Sequence, residues 1–369
     1  MSCFKKGLSL SAALLAGALL LTACGGAPAS SASSVPASSV ASSEAAEQPE
    51  EPAMKYTQTP TVPTETYKEE ADFADFLSKA EPGLVIPGLA ENLIPQGMDQ
   101  CDETGILYIS GYYTTDGKSS AILAVDTATG ELTAEYILLN AGGTPFDGHV
   151  GGVAVSEDTL YVSGQKQDDL YTICAIPLKD LPAEGSHEVK LEQTIPVPVS
   201  PSFLSDSHGY LWVGNFYHPG ADYPLSDGMK YTTASADGED YGCYIMGYDL
   251  SKGSLSVADG DDYAQPGVVV GEDDTVTLSQ SYGRKNNASL LHYSLALGET
   301  LDTMLTVQGR DVPGYILDSK RLKESVTAMP MTEALADAKD GGIYVLFESG
   351  AIHYANGTFR TDHVWKIKF

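Results

Sequence analysis

Positive charge is scarce in this chain. Against 50 aspartates and glutamates it sets 21 lysines and arginines in 369 residues, a formal net charge of −29. No run of Lys and Arg interleaved with aromatics occurs, and a surface of this sign repels phosphate backbones and anionic headgroups, which excludes a nucleic-acid binder. Self-repulsion of the same charge favours a monomer. Catalytic signatures are missing too: the chain has no Gly-x-Ser-x-Gly elbow, no His-Glu-x-x-His helix, no phosphate-cradling Gly-Lys loop and no Gly-x-Gly-x-x-Gly fingerprint. His187-Glu188 lacks the second histidine of a zinc site, so any hydrolysis is expected to be metal-assisted rather than serine chemistry. The acidic stretches Asp237-Gly238-Glu239-Asp240 and Asp259-Gly260-Asp261-Asp262 do not have the spacing of an EF-hand loop and read as solvated insertions. Cysteines number five with no Cys-x-x-Cys pair, which removes thioredoxin-like and zinc-ribbon readings.

What is present begins at the N-terminus. Lys5 and Lys6 precede an apolar run from Leu8 to Leu21, too short to span a bilayer, and the run ends in Leu21-Thr22-Ala23-Cys24-Gly25. That ending resembles the lipobox of bacterial lipoproteins. The resemblance implies a signal peptide over residues 1–23, cleavage before Cys24, and a diacylglyceryl or palmitate-type anchor on the Cys24 sulfur, placing the protein on the extracytoplasmic face of the cell membrane. Three cysteines then remain, Cys101, Cys174 and Cys243, each in or beside an apolar run. They read as core thiols, with one disulfide left open as an alternative.

Residues 24–66 are mainly Ser, Ala, Pro, Glu and Thr and read as a disordered tether. Phe73, Phe76 and Leu77 fall at i, i+3, i+4 and predict a short amphipathic helix within residues 67–82. From residue 83 to 369 one hairpin grammar recurs: a short apolar strand, a polar turn, then a strand alternating aromatic or aliphatic with small residues. The five copies are Gly97 to Cys101 with Ile106 to Ser110, Gly151 to Val155 with Leu160 to Ser163, Ser202 to Ser205 with Tyr210 to Gly214, Gly267 to Val270 with Thr275 to Ser279, and Ala334 to Ala336 with Ile343 to Phe347. A third apolar strand follows, as in Ala121 to Asp126. Repeats of this length, all strand, predict an all-β fold, a β-propeller of four-stranded blades. Five blades are favoured. Six would result if residues 309–330 or the strand around Leu84-Val85-Ile86 formed another.

The phrases Gly148-His149-Val150-Gly151-Gly152-Val153-Ala154-Val155 and Asp206-Ser207-His208-Gly209-Tyr210-Leu211-Trp212-Val213 resemble blades of the SMP-30/gluconolactonase-like and NHL-like propellers. The resemblance covers residues 95–367. It implies a divalent cation such as calcium at the channel mouth, held by carboxylate and amide side chains, and hydrolysis of lactones or esters. In that reading Glu333 is a metal ligand with His149 or Asn215 nearby.

In a propeller the segments entering each innermost strand and those leaving the second strand open on one face. The entering set is Gln96, His149, Ser200 with Ser202, Gln265, and Thr332 with Glu333. The leaving set is Tyr112 and Tyr113, Gln165 and Lys166, Asn215 to His218, Tyr282 and Arg284, and Glu348. From these, Gln96, His149, Ser202, Asn215, Gln265, Tyr282, Arg284 and Glu333 are expected to line a ligand site. Its aromatics would stack on a flat ligand such as a sugar. A carboxylate at the head of an inner strand, as at Glu333, needs a partner: a cation, Arg284 or His149. The function expected is a membrane-anchored propeller that binds a small molecule, a glycan or an exported protein at the channel mouth. The alternative is a metal-dependent lactonase or esterase.

Overall fold

The computed structural model describes residues 53–166, 171–197, 200–207, 209–216, 245–249, 275–294, 303–307 and 310–369. Two 3-10 turns, Thr66–Glu69 and Ala71–Phe73, lead into α1 (Ala74–Lys79) and the strand β1 (Ala80–Val85). Blade 1 follows as β2 (Ile94–Gln100), β3 (Ile106–Tyr112), β4 (Ala121–Asp126) and β5 (Leu132–Asn140). Blade 2 is built from β6 (Val153–Ser156), β7 (Thr159–Ser163) and β8 (Tyr171–Pro177). The chain then makes β9 (Gly185–Leu191), which pairs in parallel with β5 of blade 1, before β10 (Gln193–Val197) returns to β8. Blade 3 contains β11 (Phe203–Ser207), β12 (Tyr210–Gly214) and β13 (Ile245–Asp249). Blade 4 contains β14 (Thr275–Gln280) and β15 (Ala288–Ser294). The hairpin of β16 (Thr303–Val307) and β17 (Arg310–Gly314) is inserted before its outer strand, β18 (Leu322–Ala328). Blade 5 is β19 (Thr332–Asp337), β20 (Ile343–Phe347) and β21 (His363–Ile367), and its outermost strand is β1 from the other end of the chain.

The architecture is a mostly β, five-bladed propeller. The Leu84-Val85 strand completes the fifth blade instead of starting a sixth, and Arg310–Gly314 and Leu322–Ala328 go into the inserted hairpin and the edge of blade 4. The first strand of the fourth hairpin, Gly267 to Val270, lies outside the described residues.

Strand alternation explains why blades pack on both faces. Successive side chains point to opposite sides of a sheet, so one strand feeds two interfaces. In β3, Leu107 and Ile109 join a cluster with Met98, Leu346 and Val364 of the first and fifth blades, whereas Tyr108 joins Ile122, Val153, Leu160 and Val162 between the first and second. In β20, Leu346 faces blade 1 while Val345 and Phe347 face Leu290, Val326 and Trp365. Full burial of each such side chain contributes about 1.5–3 kcal/mol relative to exposure. Cys101 and Cys174 are buried unpaired thiols in the cluster between blades 1 and 2. Burial pushes the Cys174 thiol up to about 12. Cys24 and Cys243 lie outside the described residues.

Serines join neighbouring blades at one end of the ring. Ser110 Oγ accepts the Gly97 amide (3.0 Å) and donates to the Val150 carbonyl of blade 2 (2.6 Å). Ser163 Oγ accepts the Gly152 amide (2.7 Å) and donates to the Pro201 carbonyl ahead of blade 3. Ser279 donates to Thr332 across blades 4 and 5. A Cβ on Gly97 or Gly152 would fall 2.7 or 2.6 Å from the serine oxygen, so glycine is what lets this joint close. At the opposite end the joints are acidic. Asp99, 9% exposed, accepts the Val155 amide of blade 2 (2.7 Å), and Asp206 of blade 3 meets Ser156. Lys339, in the β19–β20 turn, reaches Asp102 of blade 1 at 3.1 Å.

Residues 53–66 are expected from sequence to be tether, and the segment is docked from Lys55 onward. The Glu135 carboxylate is fully buried and accepts the amides of Lys55 (2.7 and 2.8 Å) and Tyr56 (3.0 Å), and Ser186 of β9 at 2.6 Å. Asp362 accepts the amides of Thr61 (2.7 Å) and Val62 (2.8 Å). Gln58 spans Val85, Gly130 and Leu132. This belt, with Tyr67, Phe73 and Phe76 packed on Trp365, Phe359 and Phe347, ties blade 1 to blade 5. No helix among the described residues is long and apolar enough to cross a membrane.

Candidate functional site

At the serine-jointed end, two inner strands are bulged. The pairing of β2 with β3 slips between Pro95 and Met98, and that of β19 with β20 slips between Thr332 and Leu335. The bulges hold Gln96 with Gly97, and Glu333 with Ala334. A bulge re-aims a side chain that regular pleating would send elsewhere. The backbone is strained beside them. Met331 and Val150, one residue before Thr332 and one after His149, have φ of 69° and 48°. A left-handed valine or methionine costs on the order of 1–3 kcal/mol and persists only where the surroundings impose it. Met331 is held by its carbonyl accepting the Glu348 amide (3.1 Å) and its amide donating to Ser281 Oγ (3.2 Å).

Glu348 follows β20 directly, and its carboxylate is the centre of the group. It accepts from Gln96 Nε2 at 3.1 Å and from the Tyr354 hydroxyl at 3.1 Å. Glu333 is its hydrogen-bonded neighbour. Burial, then repulsion from Glu348, then that bond push Glu333 well above the usual carboxylate range. Burial raises Glu348 to about 7, against the bonds from Tyr354 and Glu333, the charge of Arg284 and the Gln96 amide. Both residues are partly exposed. Tyr354, from the 3-10 turn Ile352–Tyr354, carries the Arg284 guanidinium 4.7 Å from its ring centre. On the blade 1 side, Tyr112 stacks on the exposed His149 ring at 4.0 Å.

Gln96 of blade 1, Glu333 and Glu348 of blade 5 and Arg284 of blade 4 thus come together. Ser202 and Asn215 stand on blade 3, across the ring. The Ser202 amide lies 2.8 Å from both the Ser200 and Gly214 carbonyls, and Asn215, 3% exposed, donates to Phe216 at 3.4 Å. Tyr282 is 49% exposed beside Ser281 and Arg284. Tyr113 does not reach the rim: it is buried, and its hydroxyl donates to Tyr56 of the belt at 2.8 Å. Gln165 binds Asp147 (3.1 Å) and Lys166 lies over Tyr171; Gln165 helps line a separate cleft of about 390 Å³ with Asn140, Phe146, Thr172 and Cys174. Gln265, Tyr217, His218, His208 and the two acidic stretches lie outside the described residues. Tyr354 was not anticipated from sequence, because a single 3-10 turn has no periodicity to detect.

The donor set does not suit a divalent cation. Calcium takes six to eight oxygens converging on one point. Here the Gln96 amide and Tyr354 hydroxyl donate to the carboxylate, and the Arg284 charge acts on it. Among the described residues, no group of three His, Cys, Asp or Glu would hold an ion.

No family model matches the chain, and no curated protein does. Among solved structures it is similar to the PQQ-bound aldose sugar dehydrogenase of Streptomyces coelicolor, at 12% identity over 78% of this chain and 97% of that one, with a TM-score of 0.44. The Myxococcus xanthus glutaminyl cyclase gives 11% identity, 79% and 94% coverage and a TM-score of 0.33. The periplasmic gluconolactonase of Pseudomonas aeruginosa gives 13%, 68% and 64%, with 0.29. Similarity of this degree leaves activity to be argued from the residues themselves.

Proposed function

We propose that the chain is a lipid-anchored, extracytoplasmic propeller of the bacterial cell membrane that binds a small polar ligand where Gln96, Glu333, Glu348, Tyr354 and Tyr112 surround the channel mouth. The observation that carries this reading is the pair of bulges. At equivalent positions of adjacent blades the sheet gives up regular pairing, and each bulged residue reaches the same carboxylate. Strain and half-buried acids concentrated at one rim lower stability, a pattern typical of ligand sites. Neighbouring rings of Tyr112, His149 and Tyr354 supply flat apolar surface, and the acids and amide supply hydrogen bonds, which suits a hydroxyl-bearing or carbonyl-bearing small molecule.

Two measurements test it. Thermal shift and calorimetry on the purified full chain, against monosaccharides, cell-wall glycan fragments, lactones and lactams, should find a ligand whose affinity drops at least tenfold in Glu348→Ala. A ligand bound equally well by that variant sinks the assignment of the rim. For the anchor, Cys24→Ser should release the protein from membranes and end incorporation of radiolabelled palmitate.

A further inference from the structure

We propose that the cleft between blades 1 and 2 is a second binding site, one that takes a small molecule carrying a primary ammonium on a short apolar body. It is separate from the rim and does not depend on the reading of the rim given above.

The strand crossing builds the cleft. β9 leaves blade 2 to pair with β5 of blade 1, and the chain turns back through Glu192 into β10. The ends of β5 and β9 and parts of β8 and β10 therefore line one opening of about 390 Å³. That size lies within the range of small-molecule sites. Its floor is apolar: Phe146 and Cys174 are each 2% exposed and Leu191 4%. Burial pushes the Cys174 thiol up to about 12, so the sulfur stays neutral and belongs to that apolar surface.

The polar part of the lining has more acceptors than donors. Asn140 donates its Nδ2 to the Pro145 carbonyl (2.7 Å) and to Thr144 Oγ1 (3.2 Å), and Gln165 donates its Nε2 to the Asp147 carboxylate (3.1 Å). A carbonyl or a carboxylate in those places requires the nitrogen end of each amide, which leaves the oxygen end over. Thr172, 3% exposed, gives its hydroxyl proton to the Gln165 backbone carbonyl (2.6 Å) and keeps only lone pairs for anything else. Among the described residues the Asn140 and Gln165 side-chain oxygens have no partner, and the Glu192 carboxylate at the exposed mouth makes no ion pair. A ligand that satisfies this lining brings several donors and a positive charge. An ammonium offers three donors and no acceptor, whereas a hydroxyl offers one donor. The −29 of the chain favours the same sign. A calcium ion fits poorly, because it takes six to eight oxygens and the described lining holds a single carboxylate.

The test is isothermal titration calorimetry on the full chain at pH 7 with 2-phenylethylamine, with 2-phenylethanol as its neutral isostere and phenylacetate as the anion. The amine should bind, and the alcohol and phenylacetate should each bind at least tenfold more weakly. Glu192→Gln should weaken the amine at least fivefold and leave the alcohol unchanged; the residue is exposed, so the variant keeps the fold. Gly142→Trp serves as a second variant. A Cβ on Gly142 meets open space, so a bulky side chain at this mouth residue should block the amine with the melting temperature unchanged. Equal affinity for amine and alcohol, or no binding of any of the three probes, overturns the proposal. So does an amine bound by Glu192→Gln or by Gly142→Trp as tightly as by the parent chain. Binding lost in Glu348→Ala and kept in Glu192→Gln would put the amine at the rim and overturn the second site while leaving the first intact.

Discussion

At the rim, blades are joined by the neutral hydroxyls of Ser110, Ser163 and Ser279, and the acids Glu333 and Glu348 meet, burial and their mutual repulsion raising Glu333 well above its ordinary range. At the opposite end the joints themselves are acids: Asp99 holds the Val155 amide, Asp206 meets Ser156, and Lys339 offsets part of their charge. Both ends hold carboxyls above their ordinary range, Asp99 at about 7 and Asp206 at about 6, each chiefly through burial. The difference is in what faces them. At one end the charge of Lys339 acts on the acids, and at the other the Gln96 amide and Tyr354 hydroxyl donate to Glu348.

The largest effect should come from the neutral joints. Ser110→Ala removes a donor to Val150 and leaves the buried Gly97 amide without its acceptor, a loss of about 2–3 kcal/mol measured by urea unfolding. A loss under 0.5 kcal/mol would mean the blades do not depend on these serines. Next is Asp99→Ala, which orphans the buried Val155 amide at a cost of about 1–3 kcal/mol. The ends should also act together on pH. For Asp99, Asp206 and Glu348 the folded state keeps a proton that the unfolded chain releases near pH 4. Their contribution is therefore fully present below pH 4 and is lost as pH rises through about 6 to 7. Asp362 runs the other way. Despite burial, bonds from His363 and the Val62 and Thr61 amides hold it low, so its contribution disappears in acid below its ordinary range. The melting temperature should be higher at pH 5.5 than at pH 8, and Asp99→Asn should flatten that slope; an unchanged slope would place the titration elsewhere. Smallest, Lys366→Ala breaks a largely exposed pair with Asp340 and should cost under about 0.5 kcal/mol.

Much of the ring was legible in sequence because its unit is local: an inner strand, a tight turn and a second strand write their alternation within about fifteen residues. The convergence of Gln96 and Glu333 followed from the same repetition. Long-range features left no such trace. The belt over residues 53–66 has the composition of a free linker, and it docks because Glu135 and Asp362, 80 and 301 residues away from their farthest partners, catch its amides. The parallel β9 crossing looks like any other apolar run. Tyr113 was grouped with Tyr112 as a rim residue, but neighbours on a strand edge point to opposite sides, and Tyr113 went under the belt. The metal reading came from family likeness and from an inner-strand carboxylate in need of a partner; around Glu348 the described residues supply Gln96 and Tyr354 as donors.

The fifth blade takes three strands from residues 332–367 and its fourth from residues 80–85. A chain is synthesised N-terminus first, so Ala80–Val85 emerges early and its partner, His363–Ile367, nearly last. Circularisation of the disc must therefore wait for the final residues. Until then both β1 and the half-built last sheet present bare amides and carbonyls, the period in which this molecule is most open to proteases and to pairing with a neighbouring copy.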